Sequence, residues 1–163
     1  MSMYIETTYV MTDEVMDLLA EAEEKTGYDQ ITLVVLCMQM MQENHKEFLE
    51  TRGRIQYQDR CDEKTGLPIP KHRVHVTILE AQYNYFQDCR KFFRRSISLC
   101  FAISVLTYLA IVVERILAEQ KQGDISRDNY PLVNYAFIEK CKENITVFEI
   151  WWGLPENLEA IFS

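Results

Sequence analysis

Three small sets of residues in this chain have the types and spacing to recognise or transform another molecule. In Arg73-Val-His-Val-Thr-Ile78 polar and apolar residues alternate, so Arg73, His75 and Thr77 share one face of a strand and Val74, Val76 and Ile78 the other. A guanidinium there can fork onto a guanine edge, and an imidazole or hydroxyl can donate or accept a hydrogen bond. Arg94 and Arg95 stand directly before Ser96 and Ser98, at the expected start of an apolar helix, where first-turn N–H groups attract an anion. Cys61, His72 and His75 have metal-ligand chemistry, but strand positions three apart point to opposite faces, so no metal is expected there. Gly-rich phosphate loops, nucleophile elbows and zinc-spaced cysteines are absent from the sequence. No catalytic residue, cofactor or enzyme activity is therefore expected. Cys37, Cys89 and Cys100 fall within apolar helical stretches and read as small core residues.

The elements that must position these groups come in two similar series. Glu6-Thr-Thr-Tyr-Val-Met11 is β-branched and aromatic, which predicts a short strand. Thr12 reads as the cap of a helix with Asp13 and Glu14 in its first turn, Val15, Leu18, Leu19 and Ala22 at helical spacing, and Gly27 closing it. Asp29 then caps a second helix, Ile31 to Met41, that is apolar nearly all round. The strand Arg73 to Ile78 opens the second series. An amphipathic helix follows from Leu79 or Glu80, with Tyr83, Phe86, Cys89 or Arg90, and Phe93 on its apolar stripe, and then an apolar helix, Leu99 to about Ala118, capped by Ser96 or Ser98. The offset between series is about 68 residues, by pattern more than by identity. A lone strand leaves its backbone groups unpaired, so each needs a partner.

The formal net charge of −8 argues against a protein coated in nucleic acid. Its distribution is uneven: residues 1–70 carry 6 basic and 14 acidic side chains, residues 71–110 carry 6 and 2, and residues 111–163 carry 5 and 9. The middle is a basic island. Five cysteines without regular spacing, and no charged-then-apolar leader, point to a reducing cytoplasm. Ser96 to Val113 runs 18 residues without a charge, short for a bilayer span and containing four Ser or Thr residues; a helix buried in a small domain accounts for it as well, and no membrane partner is favoured.

Met11-Thr-Asp-Glu-Val15 and Arg95-Ser-Ile-Ser-Leu99 resemble the strand-end cap and the Ser-x-Ser entry to the second helix of the ribbon-helix-helix family, the bacterial and phage regulators that include the Arc and MetJ repressors. The resemblance covers roughly residues 4–44 and 72–113. It implies a mainly α fold with short strands, in which two strand-helix-helix units form the family's dimer within one chain. It implies too that this is a DNA-binding transcriptional regulator, its two-stranded ribbon entering the major groove of double-stranded DNA. If Thr7, Tyr9 and Met11 face the helices, then Glu6, Thr8 and Val10 face outward beside Arg73, His75 and Thr77. The resemblance assigns base contacts to Arg73, His75, Thr77 and Thr8, and phosphate contacts to Arg94, Arg95, Ser96 and Ser98. Glu6, Val10 and Asp29 depart from the family's polar or cationic pattern. The chain also resembles a family of Leptospira proteins, which implies no activity.

The expected organisation is a first unit at 1–50, a connector at 51–71, a second unit at 72–122 and a C-terminal α/β extension at 123–163. Arg52 to Arg60 alternates like a strand and Lys64 to Pro70 is turn-rich, so the connector is either a hairpin onto the second strand or a surface loop. Tyr130 to Lys142 reads as a helix with Pro131 in its first turn, Ile145 to Trp152 as an aromatic strand, and Pro155 to Phe162 as a last helical turn or two. The tail's aromatics either close the core or dock a protein partner. Two alternatives to DNA binding stand beside it: a protein-interaction module on the same scaffold, antitoxin-like, and a membrane-anchored protein through 96–113. Monomer and homodimer both fit.

Overall fold

A computed structural model describes residues 3–44, 64, 66, 71–122 and 135–152. They are mainly helical with short antiparallel strands, in the order β1 (Tyr4–Thr12), α1 (Asp13–Thr26), α2 (Gln30–Glu43), β2 (Lys71–Leu79), α3 (Glu80–Phe93), α4 (Ile97–Lys121), β3 (Tyr135–Lys142) and β4 (Ile145–Trp152).

Local chemistry sets the helix ends. The Val15 amide donates to Thr12 Oγ1 at 3.4 Å, and Asp13 and Glu14 sit at the positive end of the α1 dipole. Gly27 ends α1 with φ 76°, a left-handed conformation that glycine adopts without a Cβ clash. Asp29 accepts from the Thr32 amide at 2.7 Å and starts α2. Leu79 has no capping oxygen; the Gln82 side chain reaches back instead and accepts from the Leu79 amide at 3.0 Å. Ser96 Oγ accepts from the Leu99 amide at 3.2 Å and caps α4. The turn before it is made by Arg94, left-handed at φ 56° where α1 uses glycine.

β1 and β2 pair antiparallel along their full lengths, from Tyr4↔Leu79 to Thr12↔Lys71. Tyr9, Met11 and Ile78 point from this ribbon into the helices and are buried. Tyr9, Phe86 and Phe101 meet edge to face, with ring centroids 5.7, 5.0 and 4.9 Å apart, which ties the ribbon to α3 and α4. The main helix interface is α2 on α4, with α1 against α4 as well. It buries Leu33, Val34, Met38 and Met41 with Phe101, Val105, Leu109 and Val112. Gln120 Nε2 donates to the Thr26 carbonyl at 2.9 Å, tying the far end of α4 to the end of α1.

The helix expected over Tyr130 to Lys142 is corrected: Tyr135–Lys142 is strand β3, paired antiparallel with β4. Glu143 and Asn144 make the turn at φ 53° and 64°, the two-residue geometry with positive φ at both positions that matches the twist of a hairpin. A strand partner ten residues away supplied what local helix preference alone would have met differently. The hairpin docks on the helices through buried Ile150, whose carbonyl accepts from Gln42 Nε2 at 3.3 Å, and through Phe137, which packs against the core and stacks on Phe148 at 5.6 Å. The partner of β2 is β1. The connector hairpin expected over 52–60, the helical turns expected over 155–162, and Cys61 lie outside the described residues. By length and composition α4 is apolar enough to cross a membrane, and 39% of its most apolar window is buried against the rest of the protein.

Candidate nucleic-acid interface

The ribbon register brings six side chains to one surface. Glu6 lies opposite Thr77, Thr8 opposite His75, and Val10 opposite Arg73. Five of the six are exposed and Val10 is half-buried, whereas Tyr9, Met11 and Ile78 on the other side are buried. The side-chain period of two in each strand makes this separation, and a slip of one residue would reverse it. Thr8, Arg73, His75 and Thr77 therefore stand together on the outer face. Thr8 Oγ1 and His75 Nδ1 are 2.8 Å apart, one as donor and the other as acceptor according to the imidazole tautomer. His72, on the opposite parity, pairs with Asp13 at the start of α1, so the two histidines serve different contacts. Among the described residues no three His, Cys, Asp or Glu side chains could hold one metal ion.

The second set lies where α3 turns into α4. Arg90, Lys91, Arg94, Arg95, Ser96 and Leu99, with Phe148 from β4, line an open cleft of ≈ 430 Å³. Arg94 and Arg95 were legible as a pair; Arg90 and Lys91 precede them by one helical turn each, a signal available in the i, i+4 spacing. Phe148 carried no such signal, because it reaches the cleft only through hairpin docking. Arg94 Nη2 also donates to the Thr146 carbonyl at 3.1 Å and so pins that hairpin.

Both serines have work within the fold. Ser96 accepts the Leu99 amide, and the Ser98 hydroxyl donates to the Val10 carbonyl at 2.8 Å. Ser98 thus fastens the start of α4 to β1, and its hydroxyl is engaged there. That bond places the positive end of α4 beside the β1 edge of the ribbon. The matching position at the start of α2 is different: Asp29 is the cap, and Gln30 Nε2 donates to Glu23 at 2.9 Å. A carboxylate there repels an anion that Arg94 and Arg95 would attract.

The buried thiols are structural. Burial pushes Cys37 up to about 12. It pushes Cys100 up to about 12 as well, against the opposing pull of Arg95, and holds the Cys89 thiol well above its ordinary range. None of these is a ready nucleophile at neutral pH. Comparison with family models, curated proteins and solved structures found no match for this chain.

Proposed function

We propose that this protein is a single-chain DNA-binding regulator of ribbon-helix-helix type, with two strand-helix-helix units as the halves of an internal pseudo-dimer. The carrying observation is the β1–β2 register, with Thr8, Arg73, His75 and Thr77 on the solvent face beside the cationic start of α4. The internal spacing supports the pseudo-dimer. From Thr12 to Asp29 and from Leu79 to Ser96, cap to cap, the distance is 17 positions in both cases, and the left-handed residues Gly27 and Arg94 fall at equivalent places. A shift of 67 residues carries Tyr4 to Lys71 and Thr12 to Leu79, and it exchanges the two ends of the ladder about the Thr8–His75 pair. Arg73, His75, Thr77 and Thr8 are the base-contacting residues in this reading, while Arg94 and Arg95, with the α4 amides, hold phosphate.

The test is fluorescence anisotropy with labelled duplexes over a salt series. Arg94→Gly should weaken all sequences alike and lower the salt slope by about one, whereas Arg73→Ala should cost about 1–3 kcal/mol on preferred sequences only. Duplex binding indifferent to both changes would sink the proposal. A second reading, a protein-interaction module on the same scaffold, draws on the exposed Ile145 and Val147 of the hairpin and on Glu6 and Asp29 at positions unsuited to DNA. Recovery of one protein partner, lost on truncation after Gly123, together with absent duplex binding, would favour it.

A further inference from the structure

The cleft between α3, α4 and β4 has features that a DNA backbone contact does not need. Arg90, Lys91, Arg94 and Arg95 line it, with no acidic side chain among the described lining residues. Its ≈ 430 Å³, open to solvent on one side, falls within the size range of ordinary ligand sites, where one bridging phosphate would use a fraction of the space. One wall is apolar: Leu99, and Phe148 in its stack on Phe137. Phe148 is delivered by the C-terminal hairpin, outside the two strand-helix-helix series, and Arg94 ties the hairpin in place through the Thr146 carbonyl. Cations and an aromatic ring lining one cleft match a ligand with a phosphate and a planar body.

We infer that this cleft binds a phosphomonoester of the mononucleotide class, its phosphate at the start of α4 between Arg94 and Arg95 and its planar part against Phe148. Charge-assisted bonds from the guanidinium groups and the α4 dipole hold the phosphate. Ring contact with Phe148 selects the nucleotide over free phosphate. The inference does not depend on DNA binding. Where both occur, nucleotide and duplex phosphate compete for the same cations.

The experiment is calorimetric titration of the full chain with adenosine monophosphate, adenosine and inorganic phosphate in separate runs. Adenosine monophosphate should bind about 10-fold or more tighter than either part, the scale expected when one ring contact adds to one phosphate contact. Phe148→Ala should remove that advantage and leave the response to inorganic phosphate unchanged. Arg90→Gln and Arg94→Gly should weaken both phosphate ligands; glycine suits the left-handed backbone at Arg94, and circular dichroism of each variant checks that it folds. Adenosine monophosphate binding no tighter than inorganic phosphate overturns the inference, as does tight binding that survives both Phe148→Ala and Arg90→Gln. Duplex binding without nucleotide preference likewise overturns it and leaves the DNA reading standing, whereas nucleotide binding without duplex binding supports it and removes the DNA reading.

Discussion

At the scale of single residues, Tyr9 shows how the ribbon is held. Its ring packs edge to face on Phe86 and Phe101, and its hydroxyl is buried with no hydrogen-bond partner among the described residues. Burial and the nearby Tyr83 hold that hydroxyl in its neutral form. Leaving a buried donor unmet costs about 1–3 kcal/mol, so Tyr9→Phe should be neutral or stabilising by up to that amount, measured by urea denaturation. A loss above about 1 kcal/mol would show that the hydroxyl is satisfied. The thiols give a second prediction, with its sign set by burial. Cys37 and Cys100 titrate near 12 in the folded protein and near their ordinary 9.0 once unfolded. Their contribution is complete below pH 9.0 and is lost as pH rises toward 12, by about 1.4 kcal/mol per pH unit for each thiol. Replacing both by alanine should flatten that alkaline slope. A brief iodoacetamide pulse followed by peptide mapping should label exposed Cys141 and spare Cys37, Cys89 and Cys100.

At the scale of elements, caps and turns decide where each helix and strand stops. Thr12→Ala and Ser96→Ala each remove an oxygen that accepts a first-turn amide, and each should cost about 1 kcal/mol. Ser98→Ala should act differently. It breaks the bond to the Val10 carbonyl, so exchange protection should fall in β1 near Val10 while α4 stays helical. The hairpin turn can be improved. Glu143 and Asn144 both hold positive φ, and Asn144→Gly, which holds that conformation without a Cβ clash, should raise the melting temperature. The same geometry explains why β3 escaped a sequence reading. Pro131 and the residues after it satisfy a helix-start rule, but Phe137 and Ile150 are directly paired across the strands and turn their apolar side toward the helices. No window confined to residues 130–142 contains that information.

At the scale of the whole molecule, β1 and β2 find each other within one chain, 67 residues apart by equivalent position. The melting temperature should therefore be independent of protein concentration over about a hundredfold range, in contrast to an obligate dimer, whose stability follows mass action. A concentration-dependent melt would show that the ribbon is shared between chains. The sequence by itself determined the strands β1 and β2 and the helices that follow them, the caps at Thr12, Asp29 and Ser96, and the outward parity of Thr8, Arg73, His75 and Thr77. These follow from side-chain period and from hydrogen bonds spanning three or four residues, all short-range physics. Tertiary structure alone decided that β2 pairs with β1, that Ser98 bonds to the Val10 carbonyl, and that a hairpin from the far end of the chain sets Phe148 against four cations. Each of these joins residues dozens of positions apart. Such contacts are selected by burial of a shared core, and a local pattern carries the propensity of each segment without the identity of its partner.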